Sequence, residues 1–197
     1  IPYPLAHELA GRHYHIALLA FYDSPEAIAE IPRYERLFRS VQLIREPRRS
    51  AASYFQRYRS ERARFPDKAE QSWSPEMWRA AEAMVRDRRY DAAHVFGGVQ
   101  VYEYLPLVRE LPNVIVPYES YSLWIERAMD QGHGGVDGWI MGFRHRIAQG
   151  YESWMFEGYD RTVVLTEHDA RTLKSLNPHT PVVIIPNGVD MDYFTST

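Results

Sequence analysis

The chain has 197 residues, a hydrophobic content of 45% and a formal net charge of −3, which fits a folded domain with its own core and excludes a disordered or fibrous chain. It has no cysteine, which excludes disulfides, thiolate zinc sites and thiol catalysis. No apolar run approaches about 20 residues and no secretory signal leads the chain, so we predict a cytoplasmic location.

Short apolar runs alternate with helical patterns along the chain, which is typical of parallel βαβ units. In chain order the predicted elements are an extended piece 1–4, a helix end 5–11, a strand 16–21, a helix from 25 to about 40, a strand 41–44, helices 50–64 and 75–88, a strand 92–96, a helix 99–110, a strand 114–116, a helix 121–130, a glycine-rich loop 132–138, a helix to about 158, a strand 162–165, a helix 167–176 and a strand 182–185. Six strands with helical crossovers predict an α/β fold built on a Rossmann-like, doubly wound parallel sheet.

One segment of the first half is strongly basic. Residues 45–64 contain seven arginines against two glutamates, interleaved with Tyr54, Phe55 and Tyr58. At helical spacing this pattern fits a helix from Ser50 to Arg64 that lies on an anionic membrane surface, which would make the protein peripheral on the inner face of the membrane. It equally fits a solvated basic helix whose aromatic stripe faces the core. Neither the charge of the whole chain nor a motif supports nucleic-acid binding.

The ends of the predicted strands supply the candidate site, because ligands of doubly wound sheets bind outside the carboxyl ends of the strands. Gly97 and Gly98 follow the strand that contains His94, so the backbone there can approach a substrate closely or turn tightly into the next helix. His94 itself is either a core histidine or a substrate contact. The glycine-rich loop 132–138 follows a helix, so we interpret it as a flexible connector and not as a phosphate loop.

A second strand end carries a carboxylate and several hydroxyl groups. Tyr118, Glu119 and Ser120 follow the strand 114–116 and precede a helix that contains Arg127. Glu119 beside a helix start is either a capping carboxylate or a group that orients or deprotonates a sugar hydroxyl. Arg127 is then its ion-pair partner or an anion contact.

The end of the chain indicates a connection to something further. The apolar run 182–185 continues into Pro186, Asn187, Gly188 and Asp190, the pattern of a buried strand that leaves the sheet in a tight turn. Too few residues follow for another element. We therefore expect residues 187–197 to begin a linker, with a domain over residues 1–186.

These residues resemble the N-terminal domain of a family 4 (group 1) glycosyltransferase of the two-domain GT-B fold. The match rests on residues 160–169, which read DRTVVLTEHD, and on residues 183–190 with Phe194, which mark the passage into the donor-binding domain of that family. The pairs Arg12-His13, Tyr90-Asp91 and Glu119-Ser120 match more weakly. The resemblance covers nearly the whole chain.

The resemblance implies a retaining transfer of a sugar from a nucleotide-sugar donor to an acceptor hydroxyl, without a metal or other cofactor, in polysaccharide or glycolipid synthesis. The N-terminal half would bind a carbohydrate or lipid-linked acceptor through Gly97, Gly98, Tyr118, Ser120, Arg127 and His94, with Glu119 as the catalytic group. The donor would be bound mainly by a second domain across a hinge at Asn187, Gly188 and Asp190, so the isolated chain is expected to be inactive. A sugar-nucleotide epimerase of the same architecture and a non-catalytic binding module are the alternatives.

Overall fold

A computed structural model describes residues 2–48, 65–86, 90–130 and 136–188 of the chain. The chain divides into two compact units, Ile1–Tyr90 and Asp91–Thr197. The predicted basic helix 50–64 and the greater part of the glycine-rich loop lie outside the described residues.

The first unit contains a two-stranded parallel sheet with short helices. Its elements are α1 (Pro2–Gly11), β1 (Ala17–Tyr22), α2 (Pro25–Ala29), α3 (Ile31–Tyr34), β2 (Ser40–Arg45), a 3₁₀ turn (Ala69–Gln71) and α4 (Pro75–Arg86). β1 and β2 pair with Ala17 opposite Ser40 and Tyr22 opposite Arg45. Helix α4 begins where Ser74 accepts a hydrogen bond from the backbone N–H of Met77, 3.2 Å away, since a serine at this position caps the free amides of a first turn.

Two predictions for the first unit are wrong, and proline explains both. The predicted continuous helix from 25 to about 40 is divided at Glu30 into α2 and α3, because Pro32 has no N–H to continue the helical hydrogen bonds. Residues 2–4 of the predicted extended piece 1–4 belong instead to α1, which begins at Pro2. Prolines are compatible with the first turn of a helix, where the amide has no intrahelical partner.

The second unit contains a four-stranded parallel sheet in the order β3-β4-β5-β6. Its elements are β3 (Ala93–Gly97), a 3₁₀ turn (Val99–Tyr104), α5 (Leu105–Val108), β4 (Asn113–Pro117), α6 (Tyr121–Asp130), α7 (Val136–Met155), β5 (Arg161–Val164), α8 (Glu167–Leu176) and β6 (Val182–Ile184). The predicted α/β class with parallel strands is confirmed, with the six strands described in two sheets. The predicted helix 99–110 is instead a 3₁₀ turn followed by the short α5.

The core of the second unit fixes how its strands and helices meet. Four apolar side chains of this unit are completely buried: Leu105 of α5, Ile115 of β4, Phe156 just after α7, and Leu173 of α8. Removal of such side chains from water is the main contribution to the stability of the fold. At the amino end of β4, the backbone N–H of Asn113 donates to the Asp160 carboxylate at 2.8 Å, and the Asp160 N–H donates to the Asn113 side chain at 3.1 Å. This reciprocal pair joins β4 to the segment that enters β5.

Candidate functional site

The candidate site lies at the carboxyl edge of the second sheet, where β3 and β4 end side by side. Gly97, the last residue of β3, is in register with Pro117, the last residue of β4. The residues that follow the two strands therefore emerge at the same edge. Six of the seven predicted catalytic and substrate-binding residues lie here, namely Gly97, Gly98, Tyr118, Glu119, Ser120 and, nearly two turns into α6, Arg127.

Ser120 caps helix α6. Its hydroxyl accepts a hydrogen bond from the backbone N–H of Leu123 at 3.3 Å, as an N-terminal cap residue does. Ser120 is fully buried, so its side chain supports the turn from beneath. Its neighbours Tyr118 and Glu119 are the residues of this turn whose side chains reach solvent.

A buried carboxylate from α7 holds the same turn. Glu152 is 1% exposed, and its oxygens accept hydrogen bonds from the backbone N–H groups of Tyr121 at 2.6 Å and Ser122 at 3.1 Å. The hydroxyls of Ser120 and Ser122 donate to the same carboxylate at 2.9 Å and 2.6 Å. Four donors thus converge on one carboxylate. Glu152 was not predicted from the sequence.

The position of Glu152 changes the electrostatic interpretation of the strand end. Burial raises the pKa of Glu152, and the hydrogen bonds from Ser122, Tyr121 and Ser120 oppose that rise, since they stabilise the ionised form. The amides at the start of α6 that would attract an anion are already bonded to this side chain. A substrate phosphate therefore does not find a free helix terminus here, and Glu119 is not the carboxylate that occupies it.

Glu119 instead forms an ion pair on the surface. Its carboxylate lies 3.2 Å from the Arg127 guanidinium, and the two side chains are 37% and 51% exposed. Of the two roles predicted for Arg127, the structure shows the ion pair. Exposed pairs contribute only about 0–1 kcal/mol to stability. Both groups can therefore exchange this contact for a contact with a polar substrate at low cost.

Aromatic rings extend from the strand end along one face of β3. Tyr118 is 56% exposed, and its ring packs edge-to-face against Phe96 at a centroid distance of 5.1 Å. The ring centroids of His94 and Phe96 are 6.2 Å apart. His94 is exposed to solvent, yet the neighbouring side chains displace enough water to lower the pKa of its imidazole. At neutral pH the ring is therefore uncharged.

The turn after β3 depends on glycine at one position. Gly97 has a φ of +148°, a conformation that side-chain-bearing residues rarely adopt. A Cβ there would lie 3.0 Å from a methyl group of Val101, whereas a Cβ on Gly98 would meet only the flexible end of Gln100. Close approach of the backbone is thus required at Gly97, and here it serves packing against Val101.

The remaining predicted residues lie elsewhere. Asn187 and Gly188 are exposed after β6, and Asp190 lies outside the described residues. Within the described ranges, no three His, Asp or Glu side chains come close enough together to bind a metal ion. Among the same residues, no helix has the length and apolar character that a membrane span requires.

Comparison with known protein families identifies the family of this chain. The model of Glycosyltransferase Family 4 matches residues 3–193, almost the full length of the chain. The chain belongs to glycosyltransferase family 4. No significant match was found among curated proteins. The α/β architecture with parallel sheets is that of a Rossmann-like half of a GT-B glycosyltransferase, and the predicted family is confirmed.

Membership of family 4 gives the strand-end cluster its chemical context. A glycosyltransferase must bind hydroxyl-rich substrates, for which carboxylate, guanidinium and aromatic groups are suitable partners. Glu119, Arg127 and Tyr118 present these three groups at one edge of the sheet. Glu152 holds the turn that carries them.

Proposed function

We propose that this domain binds the acceptor of a retaining glycosyltransferase, which transfers a sugar from a nucleotide-sugar donor to an acceptor hydroxyl in polysaccharide or glycolipid synthesis. The donor is bound mainly by a second, C-terminal domain beyond the hinge at Asn187, Gly188 and Asp190. We also propose a cytoplasmic location, with the basic segment 50–64 as a contact to the inner face of the membrane.

The observation that carries the proposal is the half-exposed Glu119 at the carboxyl end of β4, paired with Arg127 at 3.2 Å. A carboxylate in this position accepts a hydrogen bond from an acceptor hydroxyl and increases the nucleophilicity of its oxygen. The Arg127 guanidinium is itself a hydrogen-bond donor to hydroxyl oxygens.

The surroundings of Glu119 support an acceptor that is a sugar. Tyr118 presents an exposed ring next to the carboxylate, and Phe96 supports that ring from behind. Aromatic rings pack against the apolar faces of sugar rings while neighbouring polar groups fix the orientation. Gly97, Gly98 and His94 would bound the same site on the side of β3.

Substitution of Glu119 by Gln in the complete enzyme tests the proposal. Turnover should fall by about 10²-fold or more, as for other losses of a general base, with little change in donor binding. The matched control is Glu126→Gln, which neutralises an exposed carboxylate on the following helix, α6, and should leave turnover unchanged. Full activity of Glu119→Gln would reject the role of Glu119.

Product analysis in the same assay separates the two enzymatic alternatives. A transferase converts the acceptor into a glycosylated product. An epimerase yields an altered sugar nucleotide with no change in the acceptor.

A further inference from the structure

Helix α7 carries an exposed aromatic patch that the candidate site does not use. The patch consists of Trp139, Ile140 and Phe143, which are 73%, 43% and 47% exposed. The rings of Trp139 and Phe143 stack in nearly parallel planes at a centroid distance of 6.1 Å. Large apolar side chains grouped on one exposed face usually mark a surface that contacts something apolar.

Helical geometry separates this patch from the packed face of α7. At about 100° per residue, Trp139, Phe143 and Ile140 fall within about 100° of one another. Ala148 and Glu152, which are buried, project from the opposite side. The patch is thus directed away from the contacts that hold α7 to the rest of the unit, and it lies about 20 Å along the helix from Glu152 at about 1.5 Å per residue.

Cationic side chains flank the patch on both sides. Arg144 and Arg146 are both exposed. Around the helix axis, with Trp139 at 0°, the patch extends to about 100°, and Arg146 and Arg144 lie beyond its two edges at about −20° and about +140°. Residues 138–151 include no Asp or Glu. Neither arginine forms an ion pair within the ranges that the structure describes. The flanks of the patch are therefore positively charged and not neutralised locally.

We infer that the patch of Trp139, Ile140 and Phe143 inserts into the surface of an anionic lipid bilayer, with Arg144 and Arg146 at the headgroups. Tryptophan prefers the boundary between headgroups and acyl chains, and basic residues that border an apolar face are the pattern of an interfacial helix. Charge complementarity selects an anionic surface, since negatively charged headgroups attract basic side chains that lie near them. The contact would bring the enzyme to a lipid-linked acceptor.

Vesicle co-sedimentation of the complete enzyme tests the inference. Wild type should bind vesicles of phosphatidylcholine and phosphatidylglycerol. The double variant Trp139→Ser/Phe143→Ser should bind these vesicles at least about tenfold more weakly, because two aromatic side chains no longer enter the bilayer. The double variant Arg144→Gln/Arg146→Gln should bind these vesicles about tenfold more weakly than wild type, and it should bind vesicles of pure phosphatidylcholine as wild type does. Tyr14→Ser, which removes a 61% exposed ring of the other unit, is the matched control and should bind like wild type.

A second measurement uses a milder change. Trp139→Phe should keep vesicle binding, while the fraction of tryptophan fluorescence quenched by brominated lipids should fall, because the inserted indole is gone. Unchanged quenching overturns the inference, as does equal binding of wild type and the aromatic double variant. Self-association of wild type that the double variant abolishes would instead make the patch an interface between two copies. Vesicle binding requires neither donor nor acceptor, so this test is independent of the proposed transfer reaction, which activity on a soluble acceptor measures separately.

Discussion

The two strand ends that form the candidate site are built in different ways. The turn after β4 is fixed by polar contacts, with four hydrogen bonds from Ser120, Tyr121 and Ser122 to the buried Glu152. The turn after β3 is fixed by sterics, with Gly97 at a φ of +148° against Val101. The first turn therefore depends on one ionisable side chain, and the second on the absence of a side chain.

This difference matches the separate roles that the proposed function gives to the two turns. The polar turn supports Tyr118 and Glu119, the two surface groups that the proposed function uses. The carboxylate that holds this turn is buried, with Glu152 only 1% exposed, so Tyr118 and Glu119 are not needed to support the turn and can contact substrate. The steric turn brings the backbone of β3 close to the same edge and adds no charge.

Removal of the Glu152 carboxylate should have the largest effect on stability. Glu152→Ala leaves two backbone amides and two hydroxyls without their acceptor, which should lower the free energy of unfolding by about 2–4 kcal/mol. Urea denaturation measures this loss. Glu126→Ala removes an exposed carboxylate from α6 and should change stability by less than about 0.5 kcal/mol. Equal stabilities of the two variants would contradict the role of Glu152 as the support of this turn.

Substitution of Gly97 or Gly98 by Ala should have an intermediate effect on stability, and the two variants should differ clearly from each other. Gly97→Ala places a Cβ 3.0 Å from Val101 in an unfavourable backbone conformation, which should cost about 1–3 kcal/mol. Gly98→Ala meets only the end of the Gln100 side chain, which can move, so we expect a cost below about 1 kcal/mol. Thermal unfolding of both variants checks this order. A larger loss for Gly98→Ala would show that the turn is held differently.

The elements that the sequence predicted well carry local signals of their own. Helix α8 begins and ends where predicted, because Thr166 accepts a hydrogen bond from the Asp169 N–H as its cap. The strands were recognised from runs of β-branched residues, as in β6. The division of α2 from α3 was missed although Pro32 is visible in the sequence, since an apolar pattern continues past it.

Glu152 was missed because its role depends on contacts about 30 residues away in the chain. A glutamate within a helix normally indicates a solvent-exposed face. The available signal was its spacing: Ala148 and Met155, four residues before and three after, are buried, which places Glu152 on the packed face of α7. By contrast, the surface groups Tyr118 and Glu119 were predicted from the order of strand, turn and helix alone.

The smallest of the three expected effects is a pH dependence of stability, and it should come from Glu152 in the turn after β4 and not from the turn after β3. Burial raises the pKa of Glu152 above 4.5, so ionisation is less favourable in the folded protein than in the unfolded chain. The contribution of this group to stability is therefore complete below pH 4.5 and declines as pH rises through the folded-state pKa. Hydrogen bonds from Ser122, Tyr121 and Ser120 act in the opposite direction and reduce this decline.

Glu152→Gln isolates this effect, since it preserves the shape of the side chain and removes the titration. Wild type should be the more stable protein, because the amide of Gln presents donors where the turn also has donors. The stability advantage of wild type over Glu152→Gln should narrow as the pH rises above 4.5, whereas the difference between wild type and Gly97→Ala should stay constant. An advantage over Glu152→Gln that grows with pH would show that the four hydrogen bonds outweigh burial and that the carboxylate is stabilised as an anion.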